Sequence, residues 1–163
     1  MPTSKPIIIL GIDPGFAITG YGLIKFYKKE ISLIDCGAIT SSAKEPHGQR
    51  LNKINQELDK IIKKYKPDIV GVEKLFFAKN AKTAIKVGEA RGVIMQTAWQ
   101  NHQPIREFTP LQIKQAITGY GRASKAQIQI MVKQQLNLET TPKPDDVADA
   151  LAIAICCVYT KKY

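Results

Sequence analysis

The sequence predicts an α/β fold: a mixed five-stranded sheet with helices on both faces. Three observations predict it. Three β-type segments open the chain, helical and strand patterns then alternate, and turn residues separate the segments. Three meander strands followed by right-handed βα crossovers allow the first strand to lie centrally and parallel to the fourth. Sites in such sheets form at the carboxyl ends of neighbouring parallel strands.

Each element has its own signal. Ile7–Asp13 is an apolar run stopped by Asp13-Pro14-Gly15, a buried strand ending in a turn. Ile18–Tyr27 and Glu30–Thr40 mix β-branched and aromatic residues around Lys28-Lys29 and read as two hairpin strands. Across His47–Lys66 the period changes: Leu51, Ile54, Leu58, Ile61, Ile62 and Tyr65 recur every three or four residues, an amphipathic helix closed by Pro67. Asp68–Glu73 is a short buried-type strand. Asn80–His102 is helical, with Gly88 and Gly92 expected to permit close packing. Ile105–Phe108 is a brief strand, and Pro110–Ile117 and Ser124–Leu136 are helices, Ser124 capping the second. Asp146–Lys161 is a strongly apolar last helix, for which Asp145 after Pro144 is one candidate N-cap.

Composition narrows the function. The chain has 163 residues, the size of one domain spanning 1–163, and 44% are hydrophobic, which argues against disorder. Lys and Arg number 24 against 14 acids, a formal net charge of +10 that suits a polyanionic partner or simply aids solubility. Cys36, Cys156 and Cys157 give no disulfide framework or metal-ligand spacing. The first apolar run is too short for a signal peptide and the last far too short for a membrane span, so the expectation is a soluble cytoplasmic protein without membrane association.

Four acids stand out. Asp13 and Glu73 end the first and fourth strands, so adjacent parallel strands would bring them to one edge. Either acid alone also reads as an ordinary turn former. Asp146 and Asp149 are three residues apart and share a helix face in the first two turns, where the helix dipole favours negative charge. Asp149 is followed by Ala150-Leu151-Ala152-Ile153-Ala154-Ile155, and an unpaired acid on so apolar a helix is costly to bury. Four carboxylates without Cys or His suit Mg²⁺, with Mn²⁺ able to substitute, rather than zinc. Two such ions about 4 Å apart serve in-line phosphodiester hydrolysis without a protein nucleophile. His47 and His102 read as surface residues.

Gly11-Ile12-Asp13-Pro14-Gly15 with Thr19-Gly20-Tyr21-Gly22, then Val72-Glu73-Lys74-Leu75-Phe76-Phe77-Ala78-Lys79-Asn80, then Asp146-Val147-Ala148-Asp149-Ala150-Leu151-Ala152-Ile153-Ala154 resemble, in order and spacing, the three acidic motifs of the RuvC family of Holliday-junction resolvases. Ala90-Arg91-Gly92 and the segment from Gln112 to Gln127 match as well, so the resemblance spans nearly the whole chain. It implies a ribonuclease H-like fold and a crossover junction endodeoxyribonuclease holding two Mg²⁺ ions on Asp13, Glu73, Asp146 and Asp149. Asp145 lies on the same side as Asp149; the family's spacing selects Asp146. It further implies that Phe76 stacks on an unpaired base and that Lys114 and Lys125 lie near the scissile phosphate; apart from the resemblance, the basic residues Lys79, Arg91 and Arg122 are candidates for DNA-backbone contacts. Lys74, Lys82, Lys86 and Lys133 are further candidates for such contacts. The implied partners are four-way junction DNA, a second copy in a homodimer, and a branch-migration motor of the RuvA–RuvB type.

Three other readings stay open at this level. A relative of the same fold could act on RNA or other branched DNA. A phosphotransferase or ATPase could use an Asp-x-Gly turn, although no Walker-type loop is present. A catalytically silent DNA-binding module would hardly keep four bare acids, which repel DNA.

Overall fold

A computed structural model describes residues 5–75 and 81–160. Ten elements follow in the order β1 (Ile7–Asp13), β2 (Ile18–Tyr27), β3 (Glu30–Thr40), α1 (His47–Tyr65), β4 (Ile69–Glu73), α2 (Ala81–Gln100), β5 (Ile105–Phe108), α3 (Pro110–Thr118), α4 (Lys125–Gln135) and α5 (Asp145–Tyr159). The strands form one mixed sheet in the order β3-β2-β1-β4-β5. β1 pairs antiparallel with β2 and parallel with β4, and β5 extends the parallel half. The arrangement, a mixed five-stranded sheet with the first strand at its centre, is ribonuclease H-like.

Strand alternation divides the core in two. Leu10, Ile12, Leu23, Val70 and Val72 face α1 and α2, against Leu58, Ile62 and Ile94. Ile9 and Ile24 face the other way, against Leu151 and Ile155 of α5 and Val132 of α4. α5 is apolar all round, as a helix enclosed on every side must be: from Val147 to Val158 every residue except Asp149 is buried.

α5 lies unusually close to the sheet. A Cβ at Gly11 would stand 2.1 Å from the Ala150 carbonyl oxygen and 2.6 Å from the Ala154 nitrogen. Gly11 pairs with Gly22 on β2 and Gly71 on β4, so three glycines in register form a smooth track across the three strands. Side chains there would hold the helix backbone off, and only glycine allows such an approach.

Local chemistry differs from expectation in places. Asp145 is not the cap of α5: Pro144 takes that position, and Asp145 lies within the first turn. Gly92, expected to permit close packing, faces open space, whereas a Cβ at Gly88 would meet Leu75 at 3.3 Å. The hairpin at Lys28-Lys29 carries positive φ at both residues (50° and 69°), a turn made without the Asn-Gly pair that usually announces it. Ser124 does cap α4, in a reciprocal box with Gln127, and Thr109 with Gln112 does the same for α3.

Candidate active site

Asp13 is the last residue of β1 and follows Ile9 and Gly11 in strand alternation, which turns its side chain to the α5 face. Ile12 pairs with Val72 in the parallel ladder, so one further step sets Asp13 beside Glu73, the last residue of β4. On its other flank Asp13 pairs with Gly20, where an added Cβ would meet the Asp146 carbonyl oxygen at 2.0 Å. The glycine approach that seats α5 therefore also delivers its first turn over the end of β1. Asp149 follows on the same helix face and lines a cleft with Glu73, Lys114 and Lys125. The turn after Asp13 is closed by the buried Thr19, whose hydroxyl donates to the Gly15 carbonyl at 2.7 Å.

The electrostatics register this convergence. The Asp13 carboxyl is pushed up to about 8, first by burial and then by the negative charges of Asp149, Glu73 and Asp146, with Lys125 opposing. Glu73 is raised by burial and by Asp149, against the pull of Lys114 and Lys125. Asp149 is raised by burial, while Lys125 holds it down at 3.4 Å and Asp146 and Asp145 push it up. For Lys125 burial lowers the ammonium, but Asp149 and Asp145 outweigh it and the net shift is upward. Asp145 is turned elsewhere, to Lys143 at 3.1 Å and Lys125 at 3.6 Å, and is not among the charges that raise Asp13.

The donor set is all oxygen, partly buried and mutually repelling, which fits hard divalent cations. As the side chains stand, no three His, Cys, Asp or Glu among the described residues close into a metal cage. Asp149 is instead drawn to Lys125.

The expected DNA contacts divide. Lys114 and Lys125 border the acid cleft. Arg122 is exposed in the α3–α4 turn, Lys74 is exposed directly after Glu73, and Lys133 lies two turns along α4 from Lys125. Lys86 stands over the Phe16 ring at 5.5 Å; Lys82 is exposed near the start of α2. Phe76 and Lys79 lie outside the described residues. Arg91, expected at the DNA backbone, is engaged within the chain along the sheet edge: Nε donates to the Glu73 carbonyl at 3.1 Å and Nη2 to Glu107 Oε1 at 2.5 Å.

Sequence reading missed a cluster behind the Asp13 turn. The buried Phe16 stacks on His47 at 4.8 Å, and the buried Arg50 guanidinium lies 3.9 Å from its ring centroid. His47 is exposed, as expected, and also pairs with Glu89. The only advance signal was an aromatic directly after a Pro-Gly turn.

The family model described as crossover junction endodeoxyribonuclease RuvC matches residues 9–157. A protein of that name from Alkaliphilus oremlandii is 54% identical over 157 residues, covering 96% of either chain. Another from Caldicellulosiruptor saccharolyticus is 57% identical over 149 residues, 91% of this chain and 90% of that one. Among solved structures, Thermus thermophilus RuvC in complex with Holliday junction substrate superposes with a TM-score of 0.89 at 32% identity, covering 94% of this chain and 93% of that one. Among the described residues no helix is long and apolar enough to cross a membrane.

Proposed function

The chain belongs to the crossover junction endodeoxyribonuclease RuvC family, and from that premise we propose that it resolves Holliday junctions as a Mg²⁺-dependent endonuclease, with residues 1–163 acting as one nuclease domain. The observation that carries the reading is Asp13, partly buried and ringed by Asp149, Glu73 and Asp146 on a chain of net charge +10. A basic protein keeps a buried acid cluster at a sheet edge at a cost unless cations join it there.

Asp13, Glu73, Asp146 and Asp149 hold two Mg²⁺ ions in this proposal, and Mn²⁺ takes their place when supplied. Bound there, the ions would lower the pKa of water so that hydroxide is available to attack phosphorus, and would neutralise charge on the departing oxygen. Lys114 and Lys125, on the rim of the same cleft, meet the approaching phosphate. Lys125 is already shared between Asp149 and Asp145 and exchanges partners as the phosphate arrives. Phe76 stacks on an unpaired base, and Lys79 and Arg122 hold the backbone without reading sequence. Water adds to phosphorus, the bond to the 3′ oxygen breaks and that oxygen takes up a proton. The products are a 5′-phosphate and a 3′-hydroxyl, ends that a ligase can join.

A junction needs two symmetric nicks, which a two-fold homodimer supplies. Ile85, Gly92 and Trp99, each seven residues apart on α2, support it: they form a stripe toward solvent in which Trp99 is 74% and Ile85 60% exposed. A branch-migration motor is the further partner, by family membership. The test is a synthetic four-way junction incubated with and without Mg²⁺ beside a linear duplex. Paired cutting of the junction alone, only with Mg²⁺, is expected; an uncut junction overturns the proposal. Asp13→Asn should abolish cutting and leave junction binding intact, and full cutting by that variant would reject the site.

A further inference from the structure

We propose that Arg91 and Glu107 form a clamp that positions Glu73, so that Arg91 acts on cleavage from inside the protein rather than as a DNA contact. The inference rests on the reading of Glu73 as a cation ligand given above.

β4 ends at Glu73, and its ladder with β5 ends at the Glu73–Phe108 pair. A last carbonyl at a strand end needs a donor from elsewhere. Arg91 Nε supplies it at 3.1 Å from α2, and the same guanidinium reaches Glu107 Oε1 on β5 at 2.5 Å. Glu107 is the ladder partner of Val72, one residue before Glu73. One planar fork thus ties three elements together at the residue that bears the carboxylate. The Lys74 nitrogen continues the fastening with a 2.7 Å bond to the Phe108 carbonyl, and Leu75 lies against α2 at Gly88. Arg91 shows only 21% of its side chain to solvent: Nε is engaged in the part-buried bond to the Glu73 carbonyl and Nη2 in a surface bond to the exposed Glu107. A lysine carries the charge but not two donors in fixed relation, so the site selects arginine.

A rigidly held ligand binds its cation better than a loose one, and outer supports of metal ligands typically matter by about tenfold or more. Arg91→Ala and Glu107→Gln should therefore both raise the Mg²⁺ concentration at half-maximal cutting and lower the single-turnover rate at saturating junction, by about tenfold for the alanine. Arg91→Lys should recover only part of the loss. Junction affinity in EDTA should stay within about twofold of wild type, because phosphate contacts and cation ligands are separate sets. Thermal melting against added Mg²⁺ gives a readout that needs no cleavage: the cation-induced rise should be smaller in both variants, which separates a failure of the clamp from a failure of the resolvase reading. Circular dichroism without cation checks that each variant folds, and Glu107→Gln, which keeps shape and an acceptor, serves if the alanine does not. Weaker junction binding in EDTA with unchanged cation dependence would make Arg91 a backbone contact and overturn the clamp. So would an Arg91→Lys variant indistinguishable from wild type.

Discussion

Folding carries the Asp13 carboxyl from an ordinary 3.8 up to about 8. The folded state then holds that proton more tightly than the unfolded chain does. Between these values the native protein binds more protons, so its stability is greatest at the acid end and falls as pH rises toward about 8. Glu73 and Asp149 shift in the same direction and add to the slope. In EDTA the melting temperature should drop between pH 5 and pH 8 in wild type; Asp13→Asn should flatten that profile and melt higher at pH 8. A profile unchanged by the substitution would mean that Asp13 is not under this strain. A cation binds the ionised form, so added Mg²⁺ should offset the drop. Asp13, Glu73 and Asp149 were legible in sequence because each interrupts or ends an apolar run, and Asp146 because it stands three residues before Asp149 on one helix face. Residue chemistry alone did not separate Asp146 from Asp145, since both lie in one helical turn; the family's spacing chose Asp146, and in the fold it is Asp146, not Asp145, whose charge acts on Asp13. The partners of Arg91 were hidden from the sequence because a cation on a helix reads alike whether its partner is solvent, phosphate or a carbonyl 18 residues away.

Elements were the most legible part of the chain. The first three strands and β5 have the bounds their patterns imply, because period and turn residues are local signals. What the pattern could not reveal is the glycine track under α5, since its cause is a helix about 140 residues later in the chain. Gly11→Ala sets a methyl 2.1 Å from a backbone oxygen that has no rotamer by which to escape. The expected cost is about 3 kcal/mol of unfolding free energy, measurable in urea, and it comes from overpacking rather than lost contacts. Gly20→Ala meets the backbone of Asp146 itself at 2.0 Å. That variant should lose cleavage more severely than stability, because the displaced segment carries a proposed cation ligand. If both glycine variants melt and cut like wild type, the close approach has been misread.

On the scale of the whole molecule, charge and assembly become separable. A net charge of +10 implies junction binding that weakens steeply with salt, by about 10³-fold from about 50 to 200 mM if some six phosphates are neutralised. A shallow dependence, measured by gel shift in EDTA, would deny the basic surface its role. Assembly is tested at Trp99: Trp99→Glu should leave a folded monomer in sedimentation at micromolar concentration and convert paired cuts into single nicks. Retention of the wild-type oligomer would place the interface elsewhere. Charge was visible in composition; the α2 stripe was not, because an apolar residue facing solvent and one facing the core have the same spelling.

α5 is both the most enclosed helix and the bearer of two of the four acids. Most catalytic groups sit on loops that can loosen while the scaffold stands. Here the proposed cation ligands on α5 have no such freedom: Asp146 and Asp149 cannot wander far without the central strand losing its cover. Amides of α5 should therefore exchange with deuterium only through global opening, and heat should extinguish cutting and native structure at one temperature. A nuclease wired in this way fails all at once, with little room for a half-open form that cuts the wrong strand.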